Sequence, residues 1–445
     1  MNSKIDIINS EYSDFKIFTK YLIPCVTAMT LIAVYAFVDS FVVGQKLGPI
    51  ALAALGIATP ILMTAFALGY MFGVGGGSLF SISLGEKKYE NSDKYFSTSF
   101  ILTVIFGVTI AILGNIYIEE ISIFLGSDSL SLPFVIEYSK CILWGYPFIM
   151  LNILMGCFMK NEGYPKIAMI STIIGAISNV ILDFLFVYGF EMGMFGAGLA
   201  TAICQSITFL INFSYSYYKK LRIRTKISNF HTPYILAIFK NGLSSFILES
   251  ASGIETFVFI YFSTKFYSTI GASAYTIIQN WILIFISILM GITQAAQPLI
   301  SFCYGAKLYS RMISFRKYSI IISTIYGVIF VILGYIFTEQ FVTIFENTNK
   351  ELLTISIFAL KLYLPAFAMM GICICTAVYF QSINNNKYSL WLMLLRSLIL
   401  PISLTIILSE LFQEKGMWSS ITITEFICTL ISIWLIMREN RKMIK

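Results

Sequence analysis

Twelve predominantly apolar runs, each about as long as a bilayer is thick or longer, follow one another along this chain, and a soluble fold has no use for so many. They lie at 17–43, 51–84, 95–117, 133–158, 164–189, 193–217, 240–264, 270–304, 317–338, 353–381, 388–409 and 416–437. As helices they satisfy their own backbone hydrogen bonds in a solvent that offers none. The second and eighth runs exceed the bilayer thickness, so these helices tilt or extend past it. Composition points the same way: 58% of the residues are hydrophobic and 12% are charged, about half the charged share of an ordinary soluble domain. In water such a chain would expose large apolar patches. A closed barrel is the other spanning solution, but its strands alternate in polarity, whereas the run Ile101 to Leu113 is apolar on every side.

Several functional classes are disfavoured at once. The segment Met1 to Asp14 is polar and leads into a run of full spanning length without a small-residue cleavage site, so no cleavable signal is expected. The eight cysteines sit mostly inside the apolar runs and form no CxxC pair, which reads as buried small apolar side chains. His231 is the single histidine and lies in a polar loop, so neither a zinc site nor a histidine-based triad is expected. The run Gly73-Val74-Gly75-Gly76-Gly77-Ser78 lacks the Lys-Ser/Thr ending of a phosphate loop and sits in an apolar span. Close helix packing by small residues is its natural reading. With no Walker motif and no clustered nucleophile and base, the chain is expected not to be an enzyme and to need no cofactor. Energy for any transport must come from an ion gradient or a partner.

Lysine and arginine gather in alternate loops. One set holds Lys87, Lys88 and Lys94, then Lys160 and Lys166, then Lys219, Lys220, Arg222, Arg224 and Lys226, then Lys307, Arg311, Arg316 and Lys317. Both termini belong to it, through Lys4, Lys16 and Lys20 and through Arg438, Arg441 and Lys442. The opposite loops carry mainly Lys46, Lys265, Lys350 and Lys415. The positive-inside rule then places both termini in the cytoplasm, which requires an even number of spans. The net charge of +7 is accounted for by these loops and gives no reason to expect a nucleic-acid partner.

The chain also repeats at an offset of about 220 residues. Gly107-Val108-Thr109-Ile110-Ala111-Ile112-Leu113-Gly114 matches Gly327-Val328-Ile329-Phe330-Val331-Ile332-Leu333-Gly334, and Glu119 falls on Glu339. Gly85 and Lys87 fall on Gly305 and Lys307, and Pro147 falls near Pro365. Six spans per half bring both halves in from the same side, so the repeat axis runs along the membrane normal, and such repeats place a substrate path between them. The expected organisation is an N-terminal six-helix bundle at 1–218, a cytoplasmic linker at 219–239 and a C-terminal six-helix bundle at 240–445.

Ionisable residues inside spans are costly and mark functional sites by default. Asp39 lies deep in the first span and Asp183 deep in the fifth. Asn179 and Asp183 are four apart and share a helix face. Together these residues offer the oxygen ligands that suit a proton or a sodium ion. The competing reading is that they merely hydrogen-bond neighbouring helices. The second half carries Glu249 and Glu255 in the seventh span, Arg396 in the eleventh and Glu425 in the twelfth. Asp39 maps to position 259, one helical turn from Glu255. The eighth span adds Gln279, Asn280, Gln294 and Gln297. Glu255, Gln279, Asn280 and Gln294 form the candidate substrate or second cation site; for each amide alone a structural role is the competing reading. Arg396 has a glutamate as its natural partner, and the sequence leaves open which one.

With these residues in view, the chain resembles the multidrug and toxic compound extrusion (MATE) family along nearly its whole length. The resemblance rests on Val38-Asp39-Ser40-Phe41-Val42-Val43-Gly44 with Leu52-Ala53-Ala54-Leu55-Gly56, on Asn161-Glu162-Gly163-Tyr164-Pro165, on Asn179-Val180-Ile181-Leu182-Asp183, and on Gly196-Ala197-Gly198-Leu199-Ala200-Thr201. It continues through Gln297-Pro298-Leu299-Ile300-Ser301 to Gly305, and from Leu395-Arg396 through Pro401 to Gly416-Met417-Trp418. It implies an all-α integral membrane fold of twelve transmembrane helices in two pseudo-symmetric six-helix bundles around a V-shaped cleft. It also implies export of small organic, mainly cationic substrates, coupled to entry of H+ or Na+, by a multi-pass protein of the cytoplasmic membrane that works as a monomer in the bilayer. The family's N-terminal cation site carries over to Asp39, Asn179, Asp183 and Thr201, with Tyr138 matching a fourth-helix tyrosine; the same set would hold the metal ion if Na+ is the coupling ion. The tenth span, from Glu351 to Gln381, has no internal acid, a departure that argues against the second-bundle cation site of some relatives. The alternative of another class is a lipid-linked oligosaccharide flippase of related fold, which calls for cations around the central cavity to hold pyrophosphate.

Overall fold

The computed structural model describes residues 12–344 and 349–444, and leaves the side chains of residues 252, 269 and 442–444 undescribed. Lys4 and the Lys442 side chain, both invoked for orientation, lie outside the described residues. Eleven helical stretches among the described residues are long and apolar enough to cross a bilayer. The last, Asn386–Arg441, breaks at Gln413, whose φ of 53° and ψ of −133° are not helical. It therefore holds two spans, which brings the total to twelve. These are α1 (Asp14–Leu47), α2 (Pro49–Gly85), α3 (Tyr89–Ile116), α4 (Leu132–Glu162), α5 (Pro165–Gly189), α6 (Gly193–Tyr218), α7 (Thr232–Ser268), α8 (Ile270–Gly305), α9 (Tyr309–Ile336), α10 (Lys350–Ser382), α11 (386–412) and α12 (414–441).

Local chemistry sets the ends. Ser13 caps α1 by accepting from the Lys16 N–H, and Asn349 caps α10 by accepting from two backbone N–H groups. Pro49 and Pro165 each stand in a first turn, where the missing N–H is no loss. Gly163 ends α4 at φ +105°, a left-handed cap that a residue with a Cβ resists. The sequence Glu162-Gly163-Tyr164-Pro165 thus encodes a tight reversal between two spans.

The 220-residue repeat holds at the level of backbone geometry. Lys87 and Lys307 are both left-handed, at φ 60° and 58°. Each is followed by the same return bond, Lys88 N to Ser83 O at 2.9 Å and Leu308 N to Cys303 O at 2.8 Å. A Cβ on Gly107 would lie 2.8 Å from Pro147 Cα, and one on Gly327 would lie 2.4 Å from Phe367 O. The crossing of α3 on α4 is therefore repeated by α9 on α10. Two short helices, Ile118–Phe124 and Thr338–Thr343, were not anticipated; they too are related by the repeat, with Glu119 and Glu339 in their first turns.

The halves meet mainly at the end that carries the basic loops, here called the basic face. There α2 and α8 cross at Gly85 and Gly305, so closely that a Cβ on Gly85 would lie 2.3 Å from Phe302 O. Asp14 on α1 pairs with Arg311 on α9 at 3.0 Å. One hydrophobic cluster runs through the first half and at this end takes in the second, with Phe18, Phe80 and Phe158 beside Phe302, Phe315 and Phe380. A second cluster, built from Phe259, Tyr275, Phe285, Phe330, Phe367 and Trp418, has all its buried members in the second half. The bundles thus share a core at the basic face, and away from it the second half keeps a core of its own.

Three expectations are corrected. Lys160, counted among the loop cations, is only 9% exposed and sits in the last turn of α4, facing the space between the halves. Arg316 is 2% exposed; its guanidinium donates to Asn440 Oδ1 at 2.9 Å and lies over the Tyr379 ring. Neither charge is solvated, because the helices extend further toward the basic face than hydropathy indicates. For the same reason α7 starts at Thr232 and takes up eight residues of the expected linker at 219–239, with Pro233 in its first turn and Ile238 buried against α2. What remains between α6 and α7 packs back on α3, through Lys226 N to Ser97 Oγ at 3.3 Å and His231 N to Thr98 Oγ1 at 3.2 Å.

Candidate cation site and inter-half cavity

Four helices of the first half deliver the polar residues. On α5, Asn179 and Asp183 are fully buried on the face expected from their spacing. Immediately after Asp183 the helix widens into a π-helical segment, Phe184–Gly189, a deformation common at functional sites. Asp39 on α1 is 8% exposed and Thr201 on α6 is 3% exposed. Tyr138 on α4 hydrogen-bonds Thr201 and stands in electrostatic contact with Asp39 and Asp183, and the two carboxylates are in contact with each other. The five residues Asp39, Tyr138, Asn179, Asp183 and Thr201 therefore occupy one neighbourhood.

The polar atoms of this neighbourhood are not consumed by one another. Asp39 Oδ1, both carboxylate oxygens of Asp183 and both amide atoms of Asn179 are buried without a hydrogen-bond partner among the described residues. A buried polar atom in that state costs about 1–3 kcal/mol, more when charged, unless a ligand or water meets it. The donor set is hard oxygen and suits a proton or Na+. Two further side chains close the site. Tyr35 is in electrostatic contact with Asp39 and Asp183, its hydroxyl accepts from Gln205 Nε2 at 3.1 Å, and Gln205 Oε1 accepts from Asn152. Both were missed from sequence. Helical spacing could have found them, since Tyr35 lies four residues before Asp39 and Gln205 four after Thr201.

The second-half candidates do not assemble into one site. Gln279 donates to Thr256 Oγ1 at 2.7 Å and to Tyr275 Oη at 2.6 Å. Asn280 donates to its own helix at Thr276 O. Glu255 lies in a buried cluster with Arg396 and Glu425, where Arg396 Nη2 meets Glu425 Oε1 at 2.7 Å; this settles the partner of Arg396. Gln294 belongs elsewhere. It accepts from Lys160 Nζ and lines a cavity between the halves, with Tyr70, Lys160, Glu249, Gln297 and Gln381. Across the Lys160–Gln294 bond lies a second cavity, bordered by Pro24, Met29, Asn152 and Asn212. The triple-glycine run is a packing surface, with Gly75 against Gly242 and Gly76 against Ser99.

Comparison with known proteins identifies the family. The MatE family model matches residues 24–185 and 244–407, one segment in each half. The chain belongs to the MATE family. Its relatives include the multidrug export protein MepA of Staphylococcus saprophyticus, 25% identical over 429 residues, covering 95% of this chain and 94% of that protein. MepA of Staphylococcus aureus is 25% identical over 429 residues, covering 95% and 93%. Among solved structures, the outward-facing conformation of a multidrug resistance MATE transporter superposes with a TM-score of 0.91 at 23% identity over 98% of both chains. A MOP superfamily transporter from Pyrococcus furiosus superposes with a TM-score of 0.90 at 23% identity, covering 98% and 97%. These likenesses establish the all-α fold of twelve helices in two six-helix bundles and a multi-pass membrane transporter.

Proposed function

We propose that this MATE protein is a cation-coupled antiporter that exports small organic cations, drugs or toxic compounds across the cytoplasmic membrane by alternating access. The observation that carries the reading is the convergence of Asp39, Asn179 and Asp183 with buried oxygens that have no partner among the described residues. The multidrug export activity named for the MepA relatives supports the substrate class. The basic loops support placing the basic face and both termini in the cytoplasm. The shared core and the Gly85–Gly305 crossing then close the cytoplasmic side, so the chain stands in an outward-open state with the acidic site in its first half. H+ or Na+ binding at Asp39, Asn179, Asp183 and Thr201, with Tyr138 alongside, stabilises one state over the other by its differential affinity, and substrate leaves as the ion enters.

One observation favours the flippase reading: Lys160 is a buried cation facing the inter-half cavity. Against it, Glu249 faces the same cavity, so no cationic cluster awaits a pyrophosphate. Ethidium efflux under separately imposed proton and sodium gradients, compared between wild type and Asp39→Asn, tests the proposal. Gradient-driven efflux in the wild type and its loss in the variant are expected. Wild-type efflux rates in Asp39→Asn would remove that residue from the coupling site. No efflux under either gradient would favour the flippase.

A further inference from the structure

We propose that Arg396 is a tethered cation that holds the second half permanently in the charge state which the first half reaches only with an external cation bound. The inference rests on the cation-coupled reading above and extends it to the other half of the repeat.

The offset of 220, verified by the backbone at Lys87 and Lys307, identifies the counterparts. Tyr35 falls on Glu255, Gln205 on Glu425 and Ala176 on Arg396. Ala176 lies three residues before Asn179, on the same buried face of α5. In the first half Tyr35 and Gln205 are hydrogen-bonded beside the two aspartates. In the second half the corresponding positions all carry charge. Arg396 Nη2 and Glu425 Oε1 are 2.7 Å apart, with side chains 9% and 3% exposed, and Glu255 is in electrostatic contact with both. The other titratable side chains facing this cluster are the phenols of Tyr275 and Tyr363 and the thiols of Cys373 and Cys428.

The charges can be counted in formal terms. Asp39 and Asp183 give the first half two negative charges with no cation among them, and one bound monovalent ion reduces this to one. Glu255 and Glu425 give the second half two, and Arg396 already reduces this to one. The guanidinium thus does from within what the ion does from outside. It cannot dissociate into either compartment, so this half responds to no gradient. The two halves match in charge only when the first is loaded, and a carrier built this way exchanges one ion per cycle rather than two.

The test is a thermodynamic stoichiometry in proteoliposomes, with ethidium as probe and the membrane potential clamped at zero. The ethidium gradient held at equilibrium is measured against the imposed proton or sodium gradient on logarithmic axes. A slope of one is expected for wild type, no dependence for Asp39→Asn, and a slope rising toward two for Arg396→Met, whose glutamates are then open to an ion. Arg396→Met/Glu425→Gln should return to one, which separates loss of the tethered charge from damage to the helix. A wild-type slope of two overturns the inference even if neither variant folds, and so does a slope of one in folded Arg396→Met. No dependence on either gradient in the wild type overturns the cation-coupled reading itself, and this inference with it.

Discussion

Gly85→Ala should open the basic face without unfolding either bundle. The added Cβ would lie 2.3 Å from Phe302 O, 2.6 Å from Ala306 N and 2.9 Å from Gly305 C. All three are backbone atoms of α8, so no side-chain rotation relieves the clash, and the two helices must part by about 1 Å to regain ordinary contact. Overpacking of this kind costs about 1–3 kcal/mol. The seam joins two bundles with cores of their own, so the cost falls on the closed state rather than on folding. It multiplies the open fraction by roughly 5–150. Cys303 supplies the readout: it is fully buried, lies two residues before Gly305 and stands in electrostatic contact with Tyr21 of the other half. In a background where the other seven cysteines are replaced, its alkylation by an impermeant reagent added at the basic face should accelerate by that factor. Gly107→Ala is the control, because its Cβ meets Pro147 within the same bundle and strains a core without touching the seam. Equal acceleration in both variants, or none in a folded Gly85→Ala protein, would refute the reasoning.

Three further outcomes follow from the geometry. Arg396→Met alone should destabilise the protein by about 3–5 kcal/mol, because it strands a buried carboxylate, whereas Arg396→Met/Glu425→Leu should recover most of the loss; unfolding in detergent mixtures measures both. Tyr35→Phe removes the acceptor of Gln205 Nε2 and should cost about 1 kcal/mol, read as a reduced ion affinity of the transporter with little change in yield. Outside the spans, the Ser131 hydroxyl and N–H hold Asp128 below the usual carboxylate range. A depressed folded-state pKa stabilises above the unfolded pKa, and that contribution is lost as pH falls through the folded one; Ser131→Ala should move the Asp128 titration upward, as carboxyl NMR shifts would show.

The spans and the repeat were legible because each depends on run length or position along the chain, whereas the gathering of Asp39, Tyr138 and Thr201 with Asn179 and Asp183 was implied by the family resemblance. Asn179 and Asp183 announce a shared face by being four apart, and Gly107 and Gly327 announce the repeat by position alone. What depended on the placement of one helix against another was not legible. Lys160 reads as a loop cation until α4 is seen to end one turn later than hydropathy suggests, with its last turn against α8. Glu255 and Gln294 lie in helices that run antiparallel and meet different neighbours, and no one-dimensional spacing reveals that one faces Arg396 and the other Lys160. The break at Gln413 falls in the gap between the runs 388–409 and 416–437. The polar residues Glu410, Gln413, Glu414 and Lys415 interrupt the apolar run there, although nothing in the sequence marks Gln413 itself as the residue at φ 53°.

The distribution of cores explains how a chain this apolar can still move. Within each bundle the contacts are large side chains interlocked at interior density, which repack only at a cost of several kcal/mol. Across the seam, glycine on backbone at Gly75, Gly85, Gly242, Gly291 and Gly305 is joined by amide and hydroxyl bonds such as Gln297 to Ser78 and Asn241 to Gly75 O, and by rings such as Phe72 on Phe239 and Phe18 on Phe315. Glycine contacts leave no side chain to interlock, and the amides can exchange their partners for water entering as the seam opens, so the cost of separation lies in the apolar side chains that the two halves share at the basic face. Rigid bundles that part along one seam are what a two-state carrier requires, and an ion worth a few kcal/mol of differential affinity biases it where the two states lie close in energy.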